Sequence, residues 1–130
     1  MDNSILTGKY IRRMLVENEE LMELIDQSKI FPLIANADTT FPFIVYSRDS
    51  LIPVYTKNLL SDNTVSFTII VVSDDYIQSL NIANAVRHAL EGQMYKDEYL
   101  TIYPIRINSI NENTLSDAYL QTIRCSFSTN

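Results

Sequence analysis

Few residues in this chain have the types and spacing that chemistry requires. His88 and Cys125 are its only histidine and cysteine; brought together by a fold, they would make a thiolate nucleophile and its base. His88 follows Arg87 in a helical pattern with no second His, Cys or carboxylate at zinc-ligand spacing, so no metal site is expected. Cys125 falls mid-strand, where alternation accounts for it as a small core residue. Asp74 and Asp75 could serve as paired carboxylates, for acid/base work or a divalent cation, but a position at the start of a helix already explains them. Glu17, Glu19, Glu20 and Glu23 read as a solvated acidic face. Two isolated glycines cannot build a phosphate-binding loop. No catalytic residue, metal or cofactor is expected.

Composition narrows the remaining classes. With 130 residues, 46% hydrophobic and 20% charged, the chain has the makeup of one folded domain spanning residues 1–130. The net charge of −6 and a pI near 4.6 oppose a specific nucleic-acid-binding role, which rests on clustered Lys and Arg. Lys9, Arg12 and Arg13 sit at helical spacing beside Tyr10 and form a weak basic footprint, suited to solvent or to a protein contact. A lone cysteine implies no disulfide framework and a reducing compartment. No apolar run is long enough to span a bilayer, and the N-terminus lacks a signal-peptide pattern, so a cytoplasmic origin and no membrane partner are expected. Eight tyrosines are a mild excess of a residue favoured at interfaces.

The elements that must position these residues follow from periodicity. From Ser4 to Asp26, apolar residues recur at helical spacing, with a break near Asn18, a helix to about Val16 and a short second helix over Glu19 to Asp26. Ile30 to Ile34 contains Pro32 and reads as an edge strand. After turn chemistry at Asn36 to Thr40, Phe41 to Tyr46 reads as a strand whose ladder begins at Phe43, beyond Pro42. Leu51 to Tyr55 is a candidate third strand, followed by a polar connection through Ser61, Asp62 and Asn63. Thr64 to Ser73 alternates most clearly, with Val65, Phe67, Ile69 and Val71 on one face. Ser73, Asp74 and Asp75 start a helix that Gly92 stops. Tyr99 to Ile110 forms a strand containing Pro104, Asn111 to Asn113 a turn, and Ala118 to Ser128 a final strand. The class is α+β, a mostly antiparallel sheet with helices packed on one face, in the order α-β-β-β-β-α-β-β.

The order of these segments carries a family resemblance. Ile30-Phe31-Pro32 follows an N-terminal helix, and Phe41-Pro42-Phe43-Ile44-Val45-Tyr46 and the strand Val65 to Val72 come next. Tyr76, Ala83, Ala85-Val86-Arg87, Ala89-Leu90 and Gly92 follow, and Arg124, Ser126 and Phe127 close the chain. Over about residues 5–128 this resembles the tail completion proteins, or tail terminators, of long-tailed bacteriophages and prophages. The resemblance implies a structural, non-enzymatic role: a ring, commonly hexameric, that caps the tail tube and joins it to the head connector. It implies self-association, tail-tube and connector partners, assembly in the host cytoplasm, and a final place at the head-proximal end of the virion tail. An acidic ring would also discourage passing DNA from sticking.

Ring closure needs two different patches that fit each other. Apolar residues within the polar connection Leu51 to Asn63 make Tyr55, Lys57, Leu59 and Leu60 the candidate contacts, with Arg12 and Arg13 as a second candidate. Two other classes compete. A small ligand-binding or regulatory α+β domain acting as a dimer would need a concave pocket with converging polar groups. A hydrolase would need Cys125 and His88 within hydrogen-bond reach.

Overall fold

The computed structural model describes residues 3–55 and 61–130. After a 3₁₀ turn at Ser4–Leu6, helix α1 spans Thr7–Val16 and α2 spans Glu19–Leu24. The expected break lies between them, where the Asn18 side chain accepts from the Leu21 amide at 2.9 Å and caps α2. A second 3₁₀ turn, Gln27–Lys29, leads into β1 (Ile30–Pro32). Strand β1 pairs in parallel with β2 (Phe43–Tyr55) and lies at the sheet edge, as Pro32 requires.

Strand β2 starts its ladder at Phe43, opposite Val72 of β3 (Ser61–Ser73). It does not stop at Tyr46. A register shift between Arg48 and Ser50 carries it through Leu51 to Tyr55, so the expected third strand is the far half of β2. The bulge at Asp49 absorbs one extra residue without ending the ladder, and Asp49 Oδ2 accepts from the Thr68 hydroxyl across it at 2.6 Å. The connection expected from Leu51 to Asn63 is therefore mostly a β-hairpin.

Helix α3 (Tyr76–Leu90) starts at Asp75, whose carboxylate accepts from the Gln78 amide at 3.1 Å. Gly92 stops the chain's helical course with φ +77°, and its amide donates to the Ile105 carbonyl at 2.8 Å. The expected strand Tyr99 to Ile110 is broken. Two short strands, β4 (Tyr95–Lys96) and β5 (Thr101–Ile102), precede β6 (Arg106–Leu115). Pro104 cannot donate to a ladder, and the break falls around it. The turn expected at Asn111 to Asn113 is also corrected: these residues pair with Thr122, Gln121 and Leu120 of β7 (Ala118–Thr129). The reversal lies at Ser116 and Asp117, with Ser116 at φ 56°.

The sheet order is β1-β2-β3-β7-β5-β4, with β6 also paired to β7, and every pairing except β1 with β2 is antiparallel. One face carries the helices. Ile11 and Leu15 of α1, Leu21 of α2 and Ile82, Val86 and Leu90 of α3 share a core with Val65, Ile69, Ile123 and Phe127. The Phe67 and Phe127 rings stack at 6.0 Å across β3 and β7. Among the described residues no helix is long and apolar enough to cross a membrane.

Candidate assembly interface

Strand β3 runs beside β7 from Asn63, opposite Thr129, to Ser73, opposite Tyr119. Past Asn63, among the described residues, the β2–β3 hairpin has no third strand beside it: Val54 faces Asp62 and Tyr55 faces Ser61. The hairpin therefore projects from the sheet as an arm with apolar side chains in solvent. Ile52 is 57% exposed, Val54 52% and Tyr55 73%. Of the residues expected to make contacts, Tyr55 is thus exposed. Lys57, Leu59 and Leu60 lie outside the described residues.

The arm is anchored at its root by buried polar groups. Asn63 Nδ2 donates to Ser4 Oγ at 2.7 Å, and Ser4 Oγ is hydrogen-bonded to Thr129 Oγ1 at 2.6 Å. This joins the N-terminal turn, the hairpin and the last strand where each would otherwise fray. Sequence periodicity does not signal it, because Ser4, Asn63 and Thr129 are small polar residues far apart in the chain.

Arg12 and Arg13 are used within the chain. Half-buried Arg12 donates from Nη2 to the Gln27 carbonyl at 3.2 Å, and Arg13 pairs with Glu17 at 3.1 Å on the exposed face of α1. Lys9 lies 5.4 Å over the Tyr10 ring. Of the three cations, Arg13 lines a cleft of about 560 Å³ between α1 and the segment after α3, together with Tyr10, Met14, Met94 and Tyr95. The polar groups there face one another and not a common centre: Arg13 holds Glu17, and Tyr95 donates to Asp97 at 2.8 Å.

The residues with chemical potential are held apart from each other. Cys125 is 1% exposed in the core, and burial pushes its thiol up to about 12, which keeps it protonated at neutral pH. His88 lies on the exposed side of α3, its Nδ1 2.9 Å from Glu20 Oε2 of α2. Asp75 is the helix cap, while Asp74 is exposed beside it. Among the described residues no cluster of three or more His, Cys, Asp or Glu could hold a metal ion.

Residues 9–129 match the family model for tail completion protein gp17. The chain belongs to that family. No curated protein matches it. Among solved structures, a chain from the virion of a native gene transfer agent particle superposes with a TM-score of 0.79 at 12% identity, over 92% of this chain and 90% of that one. At that identity the likeness is one of fold. Family membership makes this tail completion chain a structural component of the virion tail.

Proposed function

We propose that the protein assembles into a ring, hexameric by analogy with the resembled family, that caps the tail tube and joins it to the head connector. The exposed apolar arm carries this reading: Val54 and Tyr55 lie beyond the last pairing with β7, and Ile52 just before them is exposed as well, where an isolated monomer gains nothing from them. Lys57, Leu59 and Leu60 continue the same segment in sequence. Arg12 and Arg13 supply a second, polar contact on α1. The partners are further copies of the chain, the tube protein and the connector protein. The protein works in the host cytoplasm during assembly and at the head-proximal end of the tail afterwards. The match to a chain of a phage-like particle supports an assembly setting.

The test is Val54→Asp combined with Leu59→Asp and Leu60→Asp, assayed for binding to the ends of purified tail tubes. Each new carboxylate would have to be desolvated in a dry contact. The expected result is loss of end binding with an unchanged thermal midpoint. Undiminished end binding would remove the arm from the account.

A further inference from the structure

The sheet has two unpaired edges of unequal kinds. At one side β1 is three residues long and ends at Pro32, a blunted edge. Beyond Tyr46, however, no strand among the described residues pairs with the outer side of β2, so residues 47–55 offer free backbone groups. At the other side β6, ten residues long, pairs among the described residues only with β7, and no described strand lies on its outer side. Strand β6 has no proline and no lysine, and its only charges are Arg106 and Glu112. Glu112 is already engaged, accepting from the Tyr76 hydroxyl at 3.0 Å and from Gln121 at 3.1 Å. Its one edge protection is a bulge at Asn108, between Ile107 and Ser109, which leaves the longer stretch from Ser109 to Leu115 as a template for another strand.

Resting on the ring reading above, we propose that the outer edge of β6 pairs, antiparallel, with residues 47–55 of β2 in the next copy of the chain, making one continuous sheet around the ring. Three observations select a second copy as the occupant. The first is polarity. The order β2, β3, β7, β6 contains only antiparallel neighbours, so β6 runs opposite to β2, and a head-to-tail repeat brings them together antiparallel.

The second is stagger. Arg106 stands level with Ser126, Ser66 and Ser50, and Asn113 with Leu120, Val72 and Phe43. The free part of β2 lies further along, past the stretch that β1 covers, so full pairing shifts each copy by about five residues. At ~3.3 Å per residue and ~4.8 Å between strands, that shift over four strands tilts them by roughly 40° to the ring axis. Closed sheets adopt tilts of about 35–45°.

The third is apolar content beside both edges: Ile110 and Leu115 are exposed on β6, as Ile52 and Val54 are on β2. Pro53 withholds one donor, which places the strongest pairing on the part of β2 before it.

Closure around an axis puts the bulkier helical layer outside, where the circumference is larger. The helix-free face then lines the passage. On the described strands its charged residues are Asp49, Asp62, Lys96, Arg106 and Arg124, amid serine and threonine hydroxyls, so this face carries no acidic surplus.

Cross-strand Cα separations of about 4.5–5.5 Å fall within disulfide range. In a Cys125→Ala background, Asn111→Cys combined with Ser50→Cys, or with Ile52→Cys, places both thiols on the helix-free face. One of the two pairs should link assembled rings into covalent ladders under mild oxidation, and neither cysteine alone should do so. In the unsubstituted protein, amide exchange over residues 107–114 should slow at least tenfold on assembly. Rings that form with neither a ladder nor new protection of β6 would overturn the edge pairing while leaving the ring reading intact. Rings forming under no condition, tube ends included, would overturn both.

Discussion

The polar anchor at the root of the arm gives a quantitative prediction. Asn63 is 1% exposed, and its Nδ2 donates to Ser4 Oγ at 2.7 Å, while the same hydroxyl meets Thr129 Oγ1 at 2.6 Å. A neutral hydrogen bond of this kind contributes about 1 kcal/mol net, and truncating one buried partner adds the desolvation of the other, so Asn63→Ala should cost about 1–3 kcal/mol. Ser4→Ala removes the shared hydroxyl and should cost a similar amount. If the two act through one contact, the double variant loses less than the sum, with a coupling of about 0.5–1.5 kcal/mol. Urea titrations of the four proteins at one temperature, with a common m-value, measure this directly. Limited proteolysis gives a second reading, since the single variants should be cut sooner in the hairpin while the core stays protected. Additivity within about 0.3 kcal/mol would mean that Ser4 and Asn63 are independent and that the arm is not held this way.

Three further outcomes follow from the fold. Asp75→Ala should cost about 0.5–2 kcal/mol by removing the cap of α3, with Asp74→Ala near neutral as the control, both read by thermal unfolding. Gly92→Ala should cost roughly 1 kcal/mol through backbone conformation alone, because φ is +77° and an added Cβ meets nothing within 4 Å. Burial raises the Cys125 thiol from 9.0 to about 12, so the unfolded chain releases this proton first. Its effect on stability is absent at neutral pH and grows as a loss once pH climbs past 9.0 toward 12. Tyr95, raised from 10.0 to about 12 mainly by its hydrogen bond to Asp97, acts in the same direction from a higher onset. Cys125→Ala should therefore flatten the decline that begins near pH 9, and an unchanged slope there would contradict the assignment.

The helices and the central strand were legible because their signals are local. Asn18, Asp75 and Gly92 mark helix boundaries by cap and αL chemistry, and the alternation from Val65 to Val71 fixes the buried face of β3. The errors share a different cause. A bulge at Asp49 has no sequence signature, so the far half of β2 read as a separate strand and loop. Asn111, Glu112 and Asn113 have turn chemistry, but pairing with β7 outweighs that preference, while the actual reversal uses the plainer Ser116 and Asp117. Pairing between Ile30 and Ile44, or between Ser4 and Thr129, depends on distant segments meeting. Exposure was legible in part: Tyr55 is exposed on the arm and Arg13 on α1, whereas the hydrogen bond of Arg12 to the Gln27 carbonyl and the pairing of Arg13 with Glu17 carry no mark in the apolar pattern.

The central claim is that this tail completion protein acts as a ring at the end of the tube. Negative-stain imaging of the purified protein, alone and mixed with tail tubes, with mass from light scattering, tests it most directly. The account predicts rings in solution or at tube ends, one per head-proximal end. Monomers or dimers that leave the tube ends bare would contradict it.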